Sequence, residues 1–167
     1  MTAPTLEIDI DLVWGEDTDW EDLANRAAEA IAQVVPELAH DTMLVSVVMA
    51  DDEEVHALNK QWRAKDKPTN VLSFPMLSRE EVLAAADNEG APGMLGDLIL
   101  AHGVCAREAG EKGVSVEVHA THLVIHGLLH LAGYDHELGE AEAEEMEALE
   151  RKALALIGID DPYAVED

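Results

Sequence analysis

The 167 residues suit one domain, and a 48% hydrophobic content allows a sizeable core that, at 4% aromatic residues, must be aliphatic. One cysteine, Cys105, excludes an intramolecular disulfide and reads as a small buried helix residue; no apolar run reaches the roughly 18 residues of a membrane span, and Met1 to Ile10 lacks the basic start of a secretory signal, so the expected address is the cytoplasm. A net charge of −26 argues against a nucleic-acid partner unless the ten Lys and Arg gather in one place.

Thr5 to Ile10 alternates as a half-buried strand does. Asp19 caps a predicted helix running to about Val35, with Leu23, Ala27, Ala30, Ile31 and Val34 on one face and Pro36 at its end. The apolar run Met43 to Ala50 reads as a central strand. Asp51 then caps a helix containing Val55, Leu58, Asn59 and Trp62, and Pro68 halts anything helical. Val71 to Phe74 is a short strand closed by Pro75. Ser78 to Ala86 predicts a brief helix, Asp87 to Gly93 a polar loop, Leu95 to Ala101 another strand, and Val104 to Lys112 a helix ending at Gly113. Ser115 caps a strongly apolar helix with Val118, Leu123, Ile125, Leu128 and Leu129, which stops at Gly133. A last amphipathic helix spans about Glu140 to Leu156. Together these predict one α+β domain over residues 1–167, a single compact unit with a mixed three- to four-stranded sheet covered by helices.

Charge is unevenly spread. Lys60, Arg63, Lys65 and Lys67 fall within eight residues, Asp66 is the only acid between Val55 and Arg79, and acids gather in Glu137 to Glu150. A cationic island on an acidic body suits an anionic substrate; a solvated loop with chance lysines is the alternative.

Five of the eight histidines lie between His119 and His136. His126 and His130, four apart, share one helix face one turn apart and can bite one zinc ion. Gly133 permits a left-handed helix end, after which the chain can return His136 to the same ion, so that the metal site sits on a helix–glycine turn. Three histidines leave the fourth tetrahedral position for water, as in catalytic sites. His119 and His122 lie on the same stripe but lack a turn-and-return partner. The frame H-x3-H-x2-G-x2-H is the metzincin protease spacing, except that the general-base Glu of those enzymes is replaced by Gly127. Asp135 beside the last ligand suits a group that orients a histidine. Without the Glu, attack on a phosphodiester fits better, provided a cation stabilises the transition state, and Arg63 lies in the one basic stretch on offer.

The string from His126 to His136, H-G-L-L-H-L-A-G-Y-D-H, resembles the signature of the YbeY family, bacterial endoribonucleases of ribosomal RNA maturation and ribosome quality control. Leu58 to Arg63 (L-N-K-Q-W-R), Lys67 to Pro75 (K-P-T-N-V-L-S-F-P) and Leu95 to Leu100 (L-G-D-L-I-L) resemble three further family segments in the same order. Two positions depart: Asn70 stands where Asp is frequent, and Trp62 where an aromatic, often Tyr, is usual. The resemblance implies one Zn2+ ion, hydrolysis of single-stranded RNA, ribosomal RNA and ribosomal proteins as partners, and an arginine important for activity, carried here by Arg63. Lys60, Lys65 and Lys67 are expected to steer RNA rather than react. Asp97, beside Gly96, reads as a buried turn cap at the start of a strand. Competing readings are a metzincin-like metalloprotease, opposed by Gly127, and a zinc-stabilised ribosome assembly factor that does not cut.

Overall fold

The computed structural model describes residues 3–67, 69–87, 93–134, 139–160 and 162. Strand β1 (Thr5–Ile10) alternates exposed and half-buried residues as its sequence does. Helix α1 (Trp20–Val34) starts where the Asp19 side chain accepts from the Asp22 amide, and strand β2 (Met43–Ala50) follows. Helix α2 (Asp52–Arg63) is capped by Asp51, which accepts from the Glu54 amide at 2.8 Å. Strand β3 (Val71–Pro75), helix α3 (Arg79–Asp87), strand β4 (Gly93–Ala101), and helices α4 (His102–Lys112), α5 (Val116–Leu131) and α6 (Glu140–Leu156) complete the order. Each side-chain cap satisfies an amide the first helical turn leaves without a partner, worth about 1 kcal/mol.

The strands form one sheet in the order β1-β2-β4-β3. β1 and β4 run parallel to β2, and β3 pairs antiparallel with β4. The mixed sheet and its helical cover are thus those the element pattern predicts, and β2 is central as its apolar run requires. On one face, Met43, Val45, Val47 and Met49 of β2 and Leu98 and Leu100 of β4 pack with α1, α5 and α6 into the main core. On the other, Ala50, Leu72, Ile99 and Ala101 meet Val55 of α2 and Val104 of α4 in a smaller one. Among the described residues no helix is long and apolar enough to cross a membrane.

Two expectations change. β4 begins at Gly93, not Leu95, because Gly93 and Met94 already pair with Met43 and Leu44 before the register shifts. Asp97 is therefore not at a strand start and caps no turn. It lies inside β4, paired with Ser46 and Phe74, half-buried. Phe74 packs on the smaller core, and directly paired residues share a face, so Asp97 is on the side of the sheet away from α5. At Gly96 the backbone takes φ 146°, and a Cβ there would sit 2.2 Å from the Phe74 carbonyl oxygen, so glycine is required for β3 to approach.

Candidate functional site

Helix α5 carries the centre of the site. From His119 to Ala132 every residue is buried except His126 and His130, which are half-buried. The helix packs closely on the sheet because Gly127 faces Leu98: a Cβ at 127 would come within 2.6 Å of Leu98 Cδ2. Position 127 therefore points into the core rather than into the cleft. The helix ends in a Schellman turn, with Gly133 N–H donating to His130 O and Tyr134 N–H to Leu129 O, each at 3.0 Å, and Gly133 at φ 101°.

His126 and His130 open onto a cavity of about 610 Å³ whose walls include Arg63, Lys65, Lys67 and Arg79. The Nε2 atoms of the two histidines are 3.2 Å apart. Two zinc ligands at ordinary bond lengths and a tetrahedral angle are separated by about 3.3 Å, so the pair fits a zinc-type ion. His136 and Asp135 lie outside the described residues, and among the described residues no group of three or more His, Cys, Asp or Glu is arranged to hold a metal.

The other histidines of the stripe turn to carboxylates. Glu108 Oε1 accepts from the Asn70 amide and lies 2.9 Å from His119 Nε2. Burial, the main influence on His119, pushes its pKa down. Burial pushes Glu108 up, but hydrogen bonds from His119 and Asn70 outweigh it, and its carboxyl lies below the usual value. Asn70 also accepts from the Val71 amide at 2.7 Å, so its side chain is engaged in holding the start of β3. His122 Nε2 lies 3.4 Å from Glu150 Oε1.

The basic wall is built by the end of α2. Ala64 adopts a left-handed conformation at φ 56°, which costs a non-glycine residue about 1 kcal/mol. It lets the amides of Ala64 and Lys65 both reach Asn59 O. The Asn59 side chain, 2% exposed, donates to Lys67 O at 2.9 Å and so folds the loop back along the cleft. Arg63 Nη1 is 3.5 Å from Ser73 O of β3. Lys60 is not on the cleft wall; its Nζ lies 3.8 Å from Asp66 Oδ2. Cys105 is fully buried, and burial, with Glu108 and Glu117 nearby, pushes its thiol up to about 12, which removes it as a nucleophile.

Three residues of the site were not foreseen from sequence. Arg79 donates to Glu37 Oε1 at 3.0 Å and to Ala132 O at 2.9 Å, with its guanidinium 4.6 Å from the centre of the Tyr134 ring. Arg79 and Tyr134 belong to elements distant in sequence, and no local pattern pairs them. Glu150 was legible in principle: it shares the buried stripe of α6 with Met146, Ala153 and Leu154, and a carboxylate on an apolar stripe asks for a partner.

A model of the family described as Endoribonuclease YbeY matches residues 11–158. The chain is 83% identical over 167 residues to an Endoribonuclease YbeY of Novosphingobium aromaticivorans, covering 100% of both chains. An Endoribonuclease YbeY of Erythrobacter litoralis is 56% identical over 158 residues, 95% of this chain and 98% of the relative. In fold the chain is similar to a Thermotoga maritima protein of known solution structure, with a TM-score of 0.56 at 23% identity, covering 92% of this chain and 91% of the other.

Proposed function

Because this chain belongs to the YbeY endoribonuclease family, we propose that it is a zinc-dependent enzyme that cuts single-stranded RNA, acting in the cytoplasm on the 3′ end of small-subunit ribosomal RNA and in ribosome quality control. The observation that carries the chemistry is the pair of imidazoles, His126 and His130, that alone among the residues from His119 to Ala132 escape full burial, on a cavity walled by Arg63, Lys65 and Lys67.

In this reading His126, His130 and His136 hold one Zn2+ ion. Such an ion, when bound, supplies Lewis acidity that activates water at neutral pH. Arg63 presents a planar, permanently charged fork to the scissile phosphate and stabilises the charge that builds there. Lys65 and Lys67 hold flanking phosphates along the same wall, and Lys60, further out, contributes to steering. The cleft is polar and open, as a polyanion requires. The histidine spacing by itself would also serve a peptidase, but Gly127 supplies no carboxylate and its place is filled by Leu98.

Metal analysis and an RNA cleavage assay on the wild type, Arg63→Ala and His130→Ala test the proposal together. Arg63→Ala is expected to retain zinc and fold while losing cleavage by about 100-fold or more, the usual loss for a transition-state charge stabiliser. His130→Ala is expected to lose metal and activity together. Full cleavage by metal-stripped wild type would overturn the metal role, and unchanged cleavage by Arg63→Ala would remove that residue from the mechanism.

A further inference from the structure

Behind His126, away from the cleft, stands a carboxylate that the proposed reaction does not use. Glu150 of α6 is 0% exposed. Its Oε1 is 2.5 Å from His126 Nδ1 and 3.4 Å from His122 Nε2. On the far side of the same imidazole, Nε2 is 3.2 Å from Nε2 of His130. We infer that Glu150 is a positioning residue: it accepts the Nδ1–H of His126, and so fixes the ring in the tautomer whose Nε2 lone pair faces the cleft beside His130.

The physical case is one of cost. Burying a carboxylate is expensive unless charge-assisted hydrogen bonds replace its water. An apolar side chain on the same stripe as Met146, Ala153 and Leu154 would pack at least as well and stabilise as much. What an apolar residue cannot do is choose between the two nitrogens of an imidazole. A carboxylate accepts only, so the nitrogen it meets must carry the proton, and the opposite nitrogen is left as a donor of electrons to a metal. Because Glu150 comes from α6 and His126 from α5, the contact also ties the ring's orientation to the packing of two helices. Rotating the imidazole would break a short hydrogen bond to a carboxylate that is itself fully buried. The inference rests on the reading of His126 as a metal ligand, but the tautomer it predicts exists whether or not a metal is bound.

Long-range proton–nitrogen NMR on the metal-free protein reads the tautomer directly, and competition with a chromophoric chelator reads zinc affinity; both are applied to the wild type, Glu150→Gln and Glu150→Ala. The wild type is expected to show His126 protonated on Nδ1. Glu150→Gln has nearly the same volume and keeps an accepting oxygen, so it should keep the fold and that tautomer but bind zinc several-fold more weakly for want of the charge. Glu150→Ala should mix the tautomers and weaken zinc by about 10- to 100-fold, the usual cost of losing such a partner. If the alanine variant does not fold, the glutamine variant decides. His126 protonated on Nε2 in the wild type, or zinc affinity unchanged in Glu150→Gln, would overturn the inference. A wild type that binds no zinc yet shows the Nδ1–H tautomer, lost in Glu150→Ala, would leave Glu150 as the orienting group and overturn the metal reading instead.

Discussion

Gly127 illustrates how one residue can bear on a choice of chemistry. In sequence it is a missing general base; in the structure it is a contact surface, because α5 lies so close to β4 that a Cβ would press on buried Leu98. Restoring the peptidase glutamate is therefore not a gain of function. Gly127→Glu is expected to destabilise the protein by about 3 kcal/mol or more, the cost of forcing an uncompensated charge into a packed interior. Urea denaturation measures this, and any peptide hydrolysis by a folded Gly127→Glu protein would contradict the packing argument. Asn59 works in the other direction. In sequence it is one polar residue in a helix, and in the structure it is a buried amide that holds Lys67 O and thereby shapes the basic wall.

At the scale of elements, the site depends on how α5 ends. Its last turn closes in a Schellman motif, and α3 braces it from outside through Arg79, which binds Ala132 O, Glu37 and the face of Tyr134. The fit is close: a Cβ on Gly133 would stand 2.8 Å from Arg79 Cβ. Arg79→Ala removes the side-chain donor to the Ala132 carbonyl and leaves the largely covered Glu37 carboxylate with the Tyr134 hydroxyl as its donor, and is expected to cost about 1–2 kcal/mol of stability. Chemical denaturation checks the loss. A variant as stable as the wild type would show that α5 holds its turn without α3.

Over the whole molecule, the net charge of −26 and the cationic cleft act against each other at different distances. The acidic body repels a polyanion at long range, while the wall of Arg63, Lys65 and Lys67 attracts it within a Debye length. Affinity for single-stranded RNA should then depend steeply on salt. Replacing Lys65 and Lys67 together by alanine is expected to weaken binding at low salt and reduce the slope of log K against log salt by about 1.4, two phosphate contacts at about 0.7 each. Fluorescence titration over a range of salt measures the slope, and an unchanged value would remove both lysines from the RNA contact.

The amino-acid sequence by itself determined the elements and those ends that are set locally: Asp19, Asp51 and Ser115 cap helices where they stand, Gly133 ends α5, and alternation or continuous apolarity marks β1 and β2, whereas the start of β4 at Gly93 follows from its pairing with β2. It also brought out the histidine frame and the basic run, since a spacing of four on a helix already places two imidazoles on one face. Only the tertiary structure decided what depends on close approach between distant segments. That includes the β1-β2-β4-β3 order, the placing of Asp97 on the face away from α5, the brace of α3 on α5, and the burial of Glu150 behind His126. The reason is physical. Caps and periodicities are read within one or two turns of chain, whereas the partner of a buried charge is whichever group the packing of two helices happens to bring within hydrogen-bond reach.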